Sequence, residues 1–129
     1  MIIYRTDTQL TAQQYIELLK QTTLGARRPI DDIDTISKML QHADLLITAW
    51  HGEHLVGAAR AVTDFAYCCY LSDLAVSEQW QKQGIGKQLI QTLKEQLDAE
   101  CKIILLSAPQ AINYYPHIGF TQHPSAWVK

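Results

Sequence analysis

Long apolar runs, an excess of basic residues and metal-binding cysteine patterns are all missing from these 129 residues. No apolar stretch approaches the roughly 20 residues that a bilayer-crossing helix needs, so no membrane span is expected. Lys and Arg number 11 against 13 Asp and Glu, a formal charge of −2 with no basic stripe. That balance excludes a general nucleic-acid binder and leaves room for a local anion site. Cysteines number only three, and neighbours Cys68 and Cys69 would point to opposite faces of a strand. With Cys101 they lack ligand spacing, and they read as small core residues in a reducing cytoplasm. The five histidines form no HxxxH pair, so no metal site is expected. Repeats, low-complexity tracts and Pro/Ser-rich linkers are absent too, which favours a single domain over 1–129. The first residues, Met1-Ile2-Ile3-Tyr4-Arg5, lack the charged-then-apolar pattern of a signal segment and read as a strand.

What is present alternates between helical and strand periodicity. Thr11-Ala12-Gln13-Gln14 matches a capping box, with Thr at the N-cap and Gln at the third helical position. It opens a helix that turns Tyr15, Leu18 and Leu19 inward. Thr23 to Ile30 breaks this helix, and a second begins near Asp34 with Ile36, Met39 and Leu40 on one face. Leu45–Trp50 and Leu55–Val62 flank His51-Gly52-Glu53 and read as a hairpin. Ala66–Val76 and Lys102–Ser107 are nearly continuous apolar runs, the mark of strands buried on both faces. Between them Ile85, Leu89, Ile90, Leu93 and Leu97 make the stripe of an amphipathic helix. Pro109 opens a short helix that Gly119 ends, and Phe120 begins a last extended piece. The order β-α-α-β-β-β-α-β-α-β contains one strand–helix–strand crossover, which implies a parallel pair with a right-handed connection. The class is α/β, with a mixed, mainly antiparallel sheet flanked by helices.

The segment Leu74-Ala75-Val76, then Ser77 to Trp80, then Gln81-Lys82-Gln83-Gly84-Ile85-Gly86-Lys87 carries the chemistry. A strand ends, a polar loop follows, and two glycines stand where a helix begins. The first N–H groups of a helix lack internal partners and sit at its positive end. Glycines let them face a ligand, and Lys82 and Lys87 add charge, so the turn suits a phosphate or pyrophosphate. Close packing alone also explains a G-x-G. A dinucleotide fingerprint needs a third glycine where Leu89 stands, and the phosphate-binding loop of nucleotide hydrolases needs a spacing that is absent.

Gln81-Lys82-Gln83-Gly84-Ile85-Gly86 resembles the Q/R-x-x-G-x-G/A signature of the GNAT N-acetyltransferase superfamily, in its proper place after a strand. Ala111-Ile112-Asn113-Tyr114-Tyr115-Pro116-His117-Ile118-Gly119-Phe120 is similar to that family's closing A-x-x-F-Y-x-x-x-G-F motif. The resemblance covers nearly the whole chain. It implies acetyl-CoA as co-substrate, with the pyrophosphate on the backbone amides of Lys82 to Lys87. It also implies a pantetheine arm in a splay between two parallel strands, here at Leu74, Ala75 and Val76 with Ser107 opposite. Where many members carry Asn before the closing motif, this chain has Ala108, and Asn113 is the nearby alternative.

Acetyl transfer to an amine needs a neutral amine, a site for the oxyanion and a departing thiol. An alkyl amine of pKa near 10.4 is neutral in about one molecule per few thousand at pH 7, so a base has work to do. By resemblance the Val76 N–H meets the oxyanion and Tyr115 protonates the departing sulfur. Asp73, a carboxylate in an apolar strand, is the candidate base; pairing with a neighbour such as Arg60 is the other role open to it. Arg27 and Arg28 suit a clamp for an acceptor carboxylate or phosphate, or a surface pair balanced by Asp31, Asp32 and Asp34. The expected activity is N-acetylation of a primary amine on a small molecule or peptide. A CoA-binding regulatory or interaction module of the same fold is the alternative. An exposed edge at Phe120–Val128 offers a homodimer contact.

Overall fold

The structure is a computed structural model that describes residues 1–129. Its first helix shows how local sequence sets the frame. Thr11 Oγ1 accepts from the Gln14 N–H at 3.1 Å while the Gln14 side chain accepts from the Thr11 N–H at 2.9 Å. This reciprocal cap starts α1 (Ala12–Lys20), whose inner face buries Tyr15, Ile16, Leu18 and Leu19. Thr11→Ala is expected to cost about 1 kcal/mol of stability, read as a lower urea midpoint at unchanged slope.

A 3-10 turn, Thr23–Arg27, leads to α2 (Ile33–Gln41), which Asp32 caps through the Thr35 N–H. The sheet runs in chain order: β1 (Ile3–Arg5), β2 (Leu45–His51), β3 (His54–Thr63), β4 (Cys68–Val76) and β5 (Lys102–Ile104). All neighbours pair antiparallel except β4 and β5, which are parallel and joined through α3 (Ile85–Glu95). The expected mixed class therefore holds. On one face α3 buries Ile85, Leu89, Ile90 and Leu93 against Ile47, Ala59, Ala61 and Leu71. On the other, α1 and α2 cover Ala58 and Ala75 with Tyr15, Leu19 and Ile36.

One irregularity in β4 matters most. Arg60 stands opposite Asp73 and Ala61 opposite Leu71, so Ser72 is an extra residue with no partner on β3. Such a bulge bends the strand and switches which face its side chains occupy. Leu71 accordingly packs with α3, whereas Ala75 packs with α1. Pairing of β4 with β5 ends just before the bulge, at Tyr70 opposite Ile104.

Several expectations give way here. β4 is shorter than Ala66–Val76 and alternates in exposure rather than lying buried on both faces. β5 stops at Ile104 instead of Ser107 and is a partly exposed edge. Tyr70, Ile104 and Leu106 in these runs face solvent and join neither of the apolar clusters that the helices cover. The segment after Pro109 forms two 3-10 turns, Pro109–Ala111 and Tyr115–Ile118, in place of a helix. Residues 120–129 form no strand, so the homodimer expectation loses the edge on which it rested. Of the cysteines only Cys69 is fully buried; Cys68 is exposed, because its alternate position on β4 faces outward.

Candidate active site

At the start of α3 a run of backbone N–H groups is left without protein partners. Gly84 is the N-cap at φ +81°, a left-handed conformation, and a Cβ there would meet nothing within 4 Å. The residue is glycine for its backbone rather than for space. No N–H group from Lys82 to Lys87 donates to another protein atom. Lys82 and Lys87 are exposed beside them. Gly86 has the opposite reason: a Cβ there would stand 2.7 Å from the Tyr114 hydroxyl. Tyr114, the residue before Tyr115 in the closing motif, thus lies directly over the first turn of α3.

The strand facing this helix offers a free edge. The Ser77 N–H bonds to the Val56 carbonyl at 2.9 Å, so by antiparallel alternation Val76 and Leu74 aim their own backbone groups away from β3. They face the side where β5 has already parted. The Gln81 side chain donates to the Val76 carbonyl at 3.0 Å, tying the glycine loop back to the strand. Ala75 points its backbone toward β3 instead. Gln83 is exposed in the loop, and Ile85, the first residue of α3, is buried against the sheet.

Where the strands part lies a cavity of about 50 Å³, bordered by Leu74, Leu105, Arg28, Ser72, Tyr115 and Ala111 among others. Tyr115 stacks edge-on against both Tyr114 and Phe120, at 5.3 and 5.5 Å between ring centres. Burial, with Tyr114 beside it, raises its phenol above the ordinary value, so the hydroxyl is protonated at neutral pH. Ser107 and Asn113 do not border this cavity, and Asn113 is exposed.

Asp73 is fully buried on the α1 face, and its carboxylate accepts three hydrogen bonds. Oδ1 accepts from Arg28 Nε at 2.7 Å; Oδ2 accepts from Arg60 Nε and the Tyr15 hydroxyl, each at 2.6 Å. Burial opposes its ionisation, but the hydrogen bond and charge of Arg60, with help from Tyr15 and Arg28, hold it below the usual carboxylate range. Tyr15, buried against that anion, is pushed well above the ordinary phenol value.

The same arginines hold the bulge. Arg28 Nη2 donates to the Ser72 carbonyl at 2.7 Å, and Arg60 Nη2 to Ser72 Oγ at 3.0 Å. The backbone group that loses its sheet partner at the extra residue is thereby satisfied from the loop after α1. Arg28 therefore pairs with Asp73 and not with Asp31, Asp32 or Asp34. Arg27 is exposed and makes no ion pair. Sequence reading named Arg60 as a partner for Asp73 but missed Tyr15, 58 residues away, whose inward position marked it only as core.

A glycine-opened helix beside the parting of the sheet's one parallel pair defines a class, and comparison with known proteins gives the same one. Residues 17–129 match the acetyltransferase (GNAT) domain model. An uncharacterised N-acetyltransferase, ycf52, from Gracilaria tenuistipitata var. liui is 30% identical over 112 residues, 84% of this chain and 62% of its own length. The chain thus spans less than two thirds of that relative. A GNAT-family acetyltransferase from Streptococcus pneumoniae TIGR4 superposes with a TM-score of 0.79 at 20% identity, covering 100% of this chain and 98% of its own. An aminoglycoside N-acetyltransferase, AAC(6')-Iy, solved in complex with CoA, gives 0.74 at 18% identity over 100% and 93%. The chain belongs to the GNAT acetyltransferase family.

Proposed function

We propose that the protein is an acetyl-CoA-dependent N-acetyltransferase acting on a primary amine of a small molecule or peptide. The observation that carries this reading is the run of unpartnered N–H groups at Lys82–Lys87, set beside the free edge of Leu74 and Val76. The amides, with Gly84 left-handed among them, would hold the pyrophosphate, and the β4 edge would pair with the amide-bearing pantetheine arm. Bound acetyl-CoA supplies an acyl group activated as a thioester.

Each residue then has a part. The Val76 N–H is free to meet developing negative charge on the acyl oxygen. Tyr115, protonated and bordering the cavity, donates toward the departing sulfur. The amine forms the new C–N bond as the C–S bond breaks, and its proton leaves while the sulfur gains one. Asp73 is a poor base, since its oxygens already accept three bonds and it is held ionised by two arginines. We assign it instead to positioning the strand. No carboxylate or histidine, Asp73 included, borders the cavity, so in this reading the amine loses its proton to solvent water. Ser107, Asn113 and Arg27 receive no role in this reading. Free thiols on all three cysteines suit a reducing compartment, in keeping with a cytoplasmic enzyme.

Calorimetric titration with acetyl-CoA and CoA, against ATP and NAD as controls, tests the cofactor half. Selective binding of the CoA pair is expected. Gly84→Val, which forces a β-branched residue into the left-handed region, is expected to weaken CoA about tenfold or more. Equal affinity in the variant would remove the pyrophosphate assignment.

A further inference from the structure

Two guanidiniums, Arg28 and Arg60, converge on the single carboxylate of Asp73, which leaves one positive charge unbalanced at the parting of the strands. Arg60 is sealed in the sheet, with a side chain 8% exposed; Arg28 is 20% exposed and borders the cavity that Tyr115 also borders. No other charged side chain borders that cavity. Each Arg28 nitrogen makes one bond: Nε to Asp73, Nη1 to the Arg27 carbonyl and Nη2 to the Ser72 carbonyl. A second N–H remains on each terminal nitrogen. A guanidinium fixed on three sides, with donors to spare, is built to receive a carboxylate.

From this we infer that the acceptor is a small amine bearing its own carboxylate close to the reacting nitrogen, as an α-amino acid does. The inference rests on the proposed acetyltransferase reading. The carboxylate would take the remaining Arg28 donors and leave the amine toward Tyr115 and the β4 edge. The unbalanced charge also repels a polycation, so polyamines are poor acceptors here.

Matched pairs decide the matter, with full-length protein and thiol release as the readout. L-phenylalanine is compared with 2-phenylethylamine, and L-leucine with 3-methylbutylamine, on the basis of the neutral amine; spermine represents polycations. The expected result is a kcat/KM about tenfold or more higher for each carboxylate-bearing partner, the worth of a charge-assisted hydrogen-bond pair. Arg28→Gln should collapse that ratio to near unity, a change that loss of packing alone would not produce, and Arg28→Lys should retain part of it. Equal or better turnover of the decarboxylated amines or spermine overturns the inference. So does a ratio that survives Arg28→Gln, or the lack of both turnover and calorimetric binding for either amino acid. Failure to bind CoA would instead defeat the acetyltransferase reading itself, so the two failures are told apart.

Discussion

Asp73→Ala is expected to lower the free energy of unfolding by about 3–5 kcal/mol, the usual result of removing one partner from a buried ion pair. The loss is large because three donors converge on this group. Without it the Arg60 guanidinium and the Tyr15 hydroxyl are stranded in the sheet, and Arg28 loses its Nε partner. A domain of this size has a total of about 5–15 kcal/mol to lose, so the variant should unfold at a far lower urea midpoint. A change under about 1 kcal/mol would mean that water replaces the carboxylate freely. The acid limb follows from the same group. Its folded pKa lies below the unfolded value, so its contribution is complete above about pH 4 and fades as pH falls through the folded value. The wild type should therefore destabilise steeply below about pH 4, and Asp73→Asn should show a shallower slope there.

Tyr115→Phe carries the second large effect, this time on rate. If the hydroxyl donates to the departing sulfur, kcat should fall by about 10²-fold or more while CoA affinity by calorimetry changes little. The fold should survive, since ring packing against Tyr114 and Phe120 needs no hydroxyl. Burial raises the phenol, so the wild-type rate should climb with the neutral amine and show no descending limb up to about pH 10. Tyr114→Phe is the control: its hydroxyl sits over Gly86, so its removal should touch CoA affinity before turnover. Unchanged kcat in Tyr115→Phe, with chemistry rate-limiting, would return that residue to packing.

Features written in neighbouring residues were legible from the sequence. The Thr11 capping box, the stripe of α3, the β2–β3 hairpin and the glycine turn all depend on spacings of a few positions. The parallel pair followed from one apolar run, a helix and a second run. What escaped was set by contacts between distant segments. Nothing local marks Ser72 as the extra residue, because its register is decided by pairing with β3. Tyr15 looked like any inward aromatic until the fold put Asp73 against it. The apolar runs at Tyr70, Ile104 and Leu106 implied burial on both faces, but these three join neither helix-covered cluster and face solvent. The stretch after Phe120 looked extended and pairs with nothing regular.

Ser72 is a fastening point more than a spacer. Leu71 keeps Ala61 and Asp73 keeps Arg60 with or without the position between them, so a chain one residue shorter here would pair as a regular strand. Leu74 and Val76 would still offer their backbone on the open edge, because the Ser77–Val56 bond holds their register from the other end. What the deletion would remove is the carbonyl that Arg28 Nη2 grips and the hydroxyl that Arg60 Nη2 grips. The loop after α1 should therefore come loose before the sheet itself is disturbed.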